Sequence, residues 1–376
     1  MKKKLLILHP VLAPYRIDLF NELNTAFDAN FYFFRKNLLT LKFNTEKMES
    51  QLNFKPKFLT GGFDLHIKRR MIRFGYLHKI VLHKPDLIIC CEFGLITFLS
   101  ALFARLFFKK TKIYSFCDDS VDVAIKSTLA RRIGRTLCLK VLDGIIMGND
   151  LAKDWYNQKF PKAKTVVIPI IQKEERILAL MERGKEISKR YITDFELKDK
   201  NVLLFVGRLI AVKNLPFLIE VFSEYVRNNS NAVLVLVGEG VLKPELKVLV
   251  EQLKMEDKIK FAGFYENEAL YAWYSIADYF ILPSTSETFG AVVNESLIGG
   301  VPVLCSNLAG ASTLINNNNG KIFCPFDKQQ LLAVLQEVLA ESRKTKENIS
   351  MDNSLMPYTF NQRMHVFTEF LKKEMN

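Results

Sequence analysis

The sequence predicts an α/β protein of two Rossmann-like, doubly wound domains, on three observations. Its 376 residues, 49% hydrophobic and 25% charged, exceed the usual size of one domain. Short continuous apolar runs alternate with helical stretches, as in parallel sheets covered by helices on both faces. The alternation pauses after Pro169 and then restarts. We expect an N-terminal domain over 1–170, a C-terminal domain over 171–355, and a terminal helix within 356–376 that packs back on the first domain.

The first domain is predicted from five short apolar strands, each followed by a helical stretch. The strands are expected at 4–8, 30–34, 86–91, 112–116 and 144–147. The helices are expected at 16–26, 67–82, 94–107, 129–141 and 150–158. The strongly apolar window 93–104 is shorter than the roughly 20 residues that cross a bilayer, so we expect a core helix there.

The second domain opens with a charged helical stretch and then repeats the strand-helix pattern. The stretch covers 173–190. The strands are expected at 202–206, 232–237, 259–261, 279–282, 302–304 and 321–323. The further helices are expected at 215–227, 243–253 and 329–339. A final amphipathic segment at 360–374 comes too late to complete another strand-helix unit, which is why we expect it to return to the first domain.

Cysteine usage and the N-terminus favour a cytoplasmic protein. The six cysteines include no CxxC pair, which is typical of buried reduced thiols rather than of disulfides or zinc ligands. The basic N-terminus leads into a very short apolar run that meets His9 and Pro10 without a small-residue cleavage site. We therefore expect no export signal.

Positive charge is concentrated in the first half of the chain. Residues 1–195 contain 35 Lys and Arg against 19 Asp and Glu, a net charge of +16, whereas the whole chain has +13. Basic clusters occur at 67–73, 109–112 and 131–135. Each cluster fits an anionic membrane, a nucleic acid or a phosphate-bearing substrate, and a solvated helix face explains each about equally well.

Two loops of the second half carry residues suited to a diphosphate. Gly207 allows a turn after the strand, Arg208 offers a forked pair of donors, and Lys213 adds a compact charge at the foot of the next helix. A surface Arg and Lys beside an ordinary turn explain this segment equally well. Gly238, in the sequence VGEG, is a weaker signal, because tight turns after buried strands commonly need glycine.

The sequence SETFGAVVNES places two glutamates eight positions apart. We expect residues 288–290 to form a first helical turn whose free N–H groups can hold a phosphate. Glu295 then lies about 10–12 Å further along the helix. Because a carboxylate accepts two hydroxyl hydrogens, Glu295 suits the ribose of a nucleotide sugar and Glu287 the transferred sugar. Helix capping by Glu287 and a solvated Glu295 are the structural alternative.

These motifs together resemble a known family. GRLxxxKN at 207–214, VGEG, FAGF at 261–264, and SETFGAVVNES followed by GGVPV resemble the donor domain of the retaining GT-B glycosyltransferases, family four of the sequence classification. The resemblance covers about 202–323 and implies two domains facing a cleft. The first half fits the acceptor domain of that fold in layout only.

The resemblance implies a role for each matching position. Arg208 and Lys213 would bind the donor diphosphate, and Glu287 the sugar near the reacting carbon. The remaining donor-binding positions would be Gly207, Gly238, Phe264 at the base, Thr288, Phe289 and Gly290 at the sugar and phosphates, and Glu295 at the ribose. No bound metal or other cofactor is implied, since the cations stabilise the departing diphosphate. The co-substrate would be a UDP- or GDP-linked sugar.

The first domain departs from the family pattern. The loop after the first strand reads HPVLAPYR where glycines are common, so His9, Tyr15 and Arg16 become candidates for the acceptor side, as in a subset active on bacterial polysaccharides. The sequence SFCDDS lacks a histidine often found after a later strand. Asp118 or Asp119 would orient the acceptor hydroxyl in its place, and a helix-capping role suits them at least as well.

The preferred hypothesis is a glycosyltransferase that extends a saccharide or lipid-linked saccharide in surface polysaccharide assembly, such as lipopolysaccharide, capsule or exopolysaccharide. Its positive first domain would lie against the inner, anionic face of the plasma membrane. A nucleotide-sugar epimerase shares the fold, whereas a phosphorylase is disfavoured because no lysine is placed for pyridoxal phosphate. A basic nucleic-acid-binding protein is the alternative from another class, although no recognised motif supports it and we expect no nucleic-acid partner.

Overall fold

The computed structural model describes residues 2–36, 45–59, 61–65, 70–228, 231–339 and 353–376. Its contacts divide the chain into two compact units. Unit 1 comprises Met1–Ile170 together with Phe360–Asn376, and unit 2 comprises Ile171–Thr359. Each unit is a sheet of parallel strands with helices between them.

Unit 1 is built on a seven-stranded parallel sheet in the order β3-β2-β1-β6-β7-β8-β9. Its strands are β1 (Lys4–Val11), β2 (Asp28–Arg35), β3 (Lys57–Phe58), β6 (Leu87–Cys91), β7 (Lys112–Cys117), β8 (Gly144–Met147) and β9 (Lys164–Val167); β4 (Gly62–Leu65) and β5 (Arg70–Arg73) form a separate antiparallel pair. Its helices are α1 (Ile17–Ala26), α2 (Thr45–Glu49), α3 (Tyr76–His83), α4 (Leu95–Phe107), α5 (Val121–Ile125), α6 (Leu129–Val141), α7 (Asp150–Lys159) and the terminal α15 (Phe360–Glu374). Strand order reverses between β1 and β6, which brings the loops after β1, β6 and β7 to one edge of the sheet.

The helix predicted over 67–82 is wrong in its first half. Residues 70–73 form β5, which pairs with β4, and α3 begins only at Tyr76. Gly75 precedes the helix with φ 83°, a left-handed conformation that suits glycine. Residues 67–69 of the basic cluster at 67–73 lie outside the described residues. Strand β9 was missed because its short, half-buried run resembles a loop.

The core helix predicted in the window 93–104 is present, but one of its faces is exposed. Two alanines of α4 lie in the buried core of unit 1, and several larger apolar residues of the helix are partly buried against that core. Leu95, Leu102 and Leu106 are exposed to solvent. Composition alone cannot reveal this, because an apolar window has the same hydropathy whichever of its faces packs inward. No helix among the described residues has both the length and the apolarity needed to cross a membrane.

Unit 2 contains a six-stranded parallel sheet in the order β12-β11-β10-β13-β14-β15. Its strands are β10 (Asn201–Val206), β11 (Ala232–Val237), β12 (Ile259–Gly263), β13 (Tyr279–Leu282), β14 (Val303–Ser306) and β15 (Gly320–Phe323). Its helices are α8 (Glu174–Arg183), α9 (Lys185–Asp194), α10 (Leu215–Asn228), α11 (Lys243–Leu253), α12 (Asn267–Ile276), α13 (Ala291–Ile298) and α14 (Lys328–Leu339). The charged stretch predicted as one helix is therefore two, divided at Gly184. Strand order reverses between β10 and β13, where open α/β sheets bind ligands.

The terminal helix α15 belongs to unit 1 by its contacts. Near its end, Glu374 accepts hydrogen bonds from the Tyr114 hydroxyl at 2.7 Å and from the Lys164 amine at 2.5 Å. Phe370 packs edge-on against the same tyrosine. The chain thus enters unit 2 at residue 171 and returns to unit 1 at residue 360.

Candidate active site

The loops after β10 and β13 lie side by side at the point where the strand order of unit 2 reverses. These two strands are neighbours in the sheet, so their carboxyl ends open on the same edge. The backbone joins the loops directly, because the Thr285 N–H donates to the Val212 carbonyl at 2.9 Å. Residues 207–214 and 283–290 therefore form one surface.

An ion pair crosses this surface. The Lys213 amine lies in direct contact with a carboxylate oxygen of Glu287, and both side chains are largely buried. Lys213 ends a short 3-10 helix, Ala211–Lys213, that follows the turn after β10. Arg208 on the same loop is exposed, and among the described residues it makes no ion pair. The site thus combines one paired and one unpaired cation.

Two glycines bring the loops after β10 and β11 into contact. A Cβ atom on Gly238 would lie 1.9 Å from the Gly207 carbonyl oxygen, far inside van der Waals contact. The Gly238 φ of 144° is also one that other residues rarely adopt. The same constraint recurs two residues later, where a Cβ on Gly240 would lie 2.2 Å from the Leu209 oxygen. The VGEG sequence is therefore required for packing, whatever it binds.

The helix after β13 begins later than predicted. Residues 288–290 are not its first turn: Gly290 is the residue before the helix, with φ 97°, and α13 begins at Ala291. A Cβ on Gly290 would lie 2.7 Å from Leu282, so glycine is needed there for space and for backbone conformation. The free N–H groups of the first turn belong to the residues that follow Gly290.

Backbone hydrogen bonds from residues 310 and 311 hold the loop before α13 in place. The Gly310 N–H donates to the Glu287 carbonyl at 3.1 Å, and the Ala311 N–H donates to the Phe289 carbonyl at 2.7 Å. The Phe289 side chain is buried, whereas Thr288 is only partly so. Any contact of Phe289 with a ligand would therefore involve its backbone.

Glu295 lies inside unit 2 rather than on a solvated helix face. One of its carboxylate oxygens accepts a hydrogen bond from the Gln172 amide at 2.9 Å, and the other accepts one from the Tyr274 hydroxyl at 2.9 Å. Burial raises the pKa of Glu295, and these hydrogen bonds partly oppose the effect. Arg176 donates to Gln172 at 2.5 Å and so supports the arrangement from outside. Tyr271 also donates a hydrogen bond to this carboxylate. A carboxylate with three donors still has a lone pair for one more.

Phe264 follows β12, on the far side of β11 from the ion pair. Its ring is 65% exposed, which is unusual for a phenylalanine and leaves its face open to stacking. The preceding Gly263 has φ 90°, and a Cβ there would lie 3.8 Å from a Glu239 carboxylate oxygen. Glu239 itself pairs with Lys243 at 2.5 Å.

Unit 1 has its own ion pair at the reversal point of its sheet. Arg16 donates to Asp118 at 2.5 Å, and Arg16 is 2% exposed while Asp118 is 26% exposed. The guanidinium also lies 4.9 Å from the centre of the Phe116 ring. Tyr15 is beside it, at the surface. Two loops far apart in sequence are thus joined at one edge.

His9 lies below this pair as a neutral, buried ring. Its Nδ1–H donates to the Val11 carbonyl, with 2.8 Å between the heavy atoms. Burial first, and then the charge of Arg16, lower the pKa of His9 to about 4. The ring packs edge-on against three phenylalanines, Phe20, Phe33 and Phe116. His9 can therefore reach an acceptor only through Arg16 and its neighbours.

Asp119 is fully engaged inside unit 1. Its oxygens accept hydrogen bonds from Arg131 at 2.6 Å and from the Tyr156 hydroxyl at 2.7 Å. Neither adjacent aspartate caps the following helix, contrary to the alternative raised by the sequence. That cap is Ser120, whose hydroxyl accepts from the Val123 N–H at 3.2 Å.

Glu92 belongs to the same cluster of interacting side chains as Asp119, Arg131 and Tyr156, and the sequence analysis did not identify it. It follows β6 in a left-handed conformation, with φ 61°, and accepts a hydrogen bond from Arg131 at 2.7 Å. Burial raises the pKa of Glu92 to about 7, against the lowering effect of Arg131. Its carboxylate, the Asp119 carboxylate and the Cys117 thiol lie within 4.8 Å of one another. Since Arg131 donates a hydrogen bond to both carboxylates, their proximity is explained by a salt-bridge cluster.

Gln172 and Tyr274 were likewise missed, because they lie far from Glu295 in sequence. Gln172 precedes α8, and Tyr274 lies on α12. A buried glutamate on the apolar helix α13 was a signal that such partners must exist, since a buried carboxylate needs donors. The sequence alone does not identify which residues supply them.

Most of unit 2 is similar to a family of known proteins. Residues 189–353 match the family model described as glycosyl transferases group 1. The alpha-monoglucosyldiacylglycerol synthase of Streptococcus pneumoniae is 27% identical over 233 residues, which cover 60% of this chain and 52% of that protein. The N-acetylgalactosamine-N,N'-diacetylbacillosaminyl-diphospho-undecaprenol 4-alpha-N-acetylgalactosaminyltransferase of Campylobacter jejuni is 31% identical over 164 residues, 43% of each chain. The chain therefore spans about half, or less, of the length of these curated relatives.

The whole chain matches solved structures in fold. The crystal structure of HepE from Anabaena in complex with UDP aligns with a TM-score of 0.75 over 98% of this chain and 100% of that chain, at 17% sequence identity. The predicted α/β architecture of two Rossmann-like sheets is thereby confirmed.

Proposed function

Because residues 189–353 match the family model of glycosyl transferases group 1 and the whole chain has the GT-B fold, we propose that it transfers a sugar from a nucleotide-diphosphate sugar to a hydroxyl acceptor. The observation that carries the proposal is the pairing of the two loops at the reversal point of the unit 2 sheet. There an exposed Arg208, the Lys213–Glu287 pair and the first turn of α13 open on one edge. This arrangement suits an anion with hydroxyl groups beside it.

The diphosphate binds between Arg208 and Lys213 in this proposal. Before the donor arrives, Glu287 neutralises Lys213, so the loop is not destabilised by two neighbouring cations. A diphosphate then takes over the lysine, which frees a Glu287 oxygen to accept hydroxyl hydrogens of the sugar. The same residues therefore stabilise the site both without and with the bound donor.

The chemistry follows from where charge develops. As the bond from the anomeric carbon to the diphosphate breaks, negative charge accumulates on the leaving oxygens, and fixed donors from Arg208 and Lys213 stabilise it most at the transition state. Two cations balance the diphosphate, so the proposed transfer needs no bound metal. We further propose that the acceptor hydroxyl attacks the face from which the diphosphate leaves, with retention of configuration.

The nucleoside occupies the other end of the donor site. Glu295 accepts a hydrogen bond from the ribose with the lone pair that Gln172, Tyr274 and Tyr271 leave unused. The exposed ring of Phe264 stacks on the base. Both UDP and GDP sugars fit these contacts. The UDP complex of HepE, a protein with the same fold, makes UDP the first choice to test.

The acceptor side is assigned to unit 1, where the Arg16–Asp118 pair and Tyr15 lie at the strand ends. Asp118 orients the acceptor hydroxyl, while Asp119 and His9 support it from the interior. The two curated relatives carry lipid groups in their names, diacylglycerol in one and diphospho-undecaprenol in the other. We propose a saccharide or lipid-linked saccharide acceptor in surface polysaccharide assembly, at the cytoplasmic face of an anionic membrane.

Thermal unfolding with a panel of nucleotides and nucleotide sugars tests the donor proposal. A ligand that binds only the native state at about 100 times its dissociation constant adds about 2.7 kcal/mol to the free energy of unfolding. UDP or GDP and one of their sugars should raise the melting temperature, with or without EDTA. No shift with any nucleotide would contradict the donor site, and interconversion of the donor without acceptor would favour an epimerase.

A further inference from the structure

Helix α4 turns its leucines outward. Leu95, Leu102 and Leu106 recur at the spacing of one helix face, and Leu106 is 61% exposed. The fully buried side chains of α4 are small or polar instead: Thr97, Ser100, Ala101 and Ala104. Larger apolar residues of the helix are partly buried against the core. Helix α4 is therefore apolar on its outer side as well, whereas the outer side of a usual surface helix is polar.

Helix α6 exposes a similar apolar face, and more strongly. Leu129, Ile133 and Leu137 follow one another at intervals of four residues and are 73%, 52% and 43% exposed. Two of its arginines point the other way. Arg135 is buried against the rings of Trp155, Tyr156 and Phe160, and Arg131 reaches the carboxylates of Glu92 and Asp119. These two cations of α6 contact the interior, whereas the three aliphatic residues are exposed to water.

The two helices form one outer layer. They follow β6 and β7 in the same parallel sheet, so right-handed crossovers place both on the same side of it. They also touch, since a Cβ on Gly134 would lie 3.1 Å from the Phe93 carbonyl oxygen. We call their six outward residues the leucine face: Leu95, Leu102, Leu106, Leu129, Ile133 and Leu137.

Positive charge surrounds the leucine face. The sequence contains no Asp or Glu at 93–117 or at 123–142. Exposed cations lie at its margins: Lys109, Lys110, Lys126, Arg132 and Lys140. The acidic residues at its ends, Asp122 and Asp143, are paired with cations. An aliphatic surface bordered by an excess of Lys and Arg is complementary to a bilayer with anionic headgroups, because the leucines can enter the acyl boundary while the cations stay at the phosphates.

We propose that the leucine face inserts into the surface of an anionic bilayer and so attaches unit 1 to the membrane by apolar burial as well as by charge. The proposal deepens, and rests on, the proposed function, since a lipid-linked acceptor is presented at such a surface. Insertion also changes the expected effect of salt on membrane binding. Charge alone would be screened away within a Debye length of about 3 Å at 1 M salt, whereas inserted leucines would retain the protein.

Flotation with lipid vesicles tests the proposal on the full chain. Vesicles of phosphatidylcholine with about 30% phosphatidylglycerol should carry the protein at low salt and retain part of it at about 0.5 M NaCl. The variant I133E should reduce the vesicle-bound fraction at least about tenfold, and L129E should act alike. The matched control is V241E, because Val241 is 83% exposed on unit 2 and distant in sequence from the leucine face. Vesicle binding of I133E equal to that of the wild type would overturn the proposal.

Fluorescence separates insertion from adsorption. In the variant I133W, the emission of the added tryptophan should shift to shorter wavelength on addition of vesicles, whereas V241W should not change. An unshifted I133W that still binds would mean that charge alone attaches the protein, and would overturn the proposal. If I133E instead converts a dimer to a monomer while vesicle binding persists, the leucine face is a contact between two copies of the chain, which overturns it equally.

Nucleotide binding keeps the two proposals apart. The I133E variant should retain the thermal shift with the nucleotide that stabilises the wild type, since the leucine face lies outside unit 2. Loss of vesicle binding with an unchanged nucleotide shift supports the membrane inference. A wild type that binds vesicles through Ile133 but binds no nucleotide sugar refutes the donor function alone.

Discussion

Each unit of this protein has an ion pair where its sheet reverses strand order, and the two pairs differ in their surroundings. In unit 1, Arg16 is almost completely buried, lies on an aromatic ring and bonds to Asp118. In unit 2, the paired cation Lys213 is less deeply buried, at 12% exposed, and Arg208 beside it is exposed, whereas the carboxylates of the two pairs are similarly exposed. The same position in the fold thus holds a structural cation in one unit and cations available to a ligand in the other.

This difference indicates which charged side chains are available for function. A buried pair that is broken leaves an uncompensated charge, so its first contribution is to the fold. A more accessible pair beside an exposed arginine contributes less to the fold and can exchange partners with an anion. The comparison predicts that substitutions in unit 2 reduce activity before stability, and that substitutions in unit 1 do the opposite.

The largest effect is expected for Arg208→Ala. Loss of one donor to a leaving group typically costs about 100–1000-fold in rate, or about 2.7–4 kcal/mol. Since Arg208 is exposed, the melting temperature of the apoprotein should hardly change. Transfer is measured by release of nucleotide diphosphate from the donor with an acceptor present.

Arg227→Ala is the matched control, because Arg227 is also exposed in unit 2 but lies near the end of α10, at the opposite edge of the sheet. It should retain the activity of the wild type. Equal loss in both variants would mean that net charge, not the position of Arg208, determines turnover, and the assigned diphosphate site would fall.

A loss of stability of about 3 kcal/mol is expected for Arg16→Ala, because it strands Asp118 and empties space beside Phe116. Lys213→Ala should cost only about 1 kcal/mol, since that pair is nearer to water. Urea unfolding of both variants measures the contrast.

The double variant R16A/D118N separates charge from packing. If it recovers part of the loss, the stranded carboxylate is the cause. Similar losses for Arg16→Ala and Lys213→Ala would remove the distinction between a structural and an accessible pair.

The same contrast explains how far the sequence could be interpreted. Unit 2 was largely predictable, because its strand ends carry short motifs in a fixed order. Close contacts require glycine at individual positions of these motifs, as at Gly238 and Gly290. In unit 1 the polar cluster is assembled from three loops, and nothing local indicates that Glu92 meets Arg131. The outward leucines of α4 were interpreted wrongly because hydropathy does not state which side of a helix packs.

Two side chains of unit 1, His9 and Glu92, should make the free energy of unfolding depend on pH with opposite sign. The pKa of His9 is lowered from 6.5 to about 4, so its stabilisation is present above pH 6.5 and is lost as pH falls through about 4. The pKa of Glu92 is raised from 4.5 to about 7, so its stabilisation is present below pH 4.5 and is lost as pH rises through about 7. Between these limits the two effects oppose each other in the wild type.

Removing one of these two side chains should leave the pH dependence that the other contributes. Relative to the wild type, His9→Asn should gain in free energy of unfolding as pH falls from 6.5 to 4, by at most about 3 kcal/mol. Relative to the wild type, Glu92→Gln should gain as pH rises from 4.5 to 7, by about 1 kcal/mol, because its side chain is a third exposed and water screens it. Urea unfolding at pH 4.5, 5.5 and 7 measures both slopes. Slopes of the same sign would show that the cluster does not hold a neutral histidine and a protonated glutamate.

The smallest expected effect concerns the far end of the donor site, at Glu295. Gln in its place keeps the shape and the contact with Tyr274 but removes a buried charge whose pKa burial raises, so stability at pH 7 should stay equal or increase slightly. If the ribose hydroxyls donate to this carboxylate, Glu295→Gln should weaken UDP binding about tenfold, or about 1.4 kcal/mol, because a charged acceptor is exchanged for a neutral one. Inorganic pyrophosphate has no ribose and should bind the variant and the wild type alike. Calorimetry with both ligands therefore places Glu295 at the nucleoside, and equal weakening of UDP and pyrophosphate would place it at the phosphates or show a general distortion of α13.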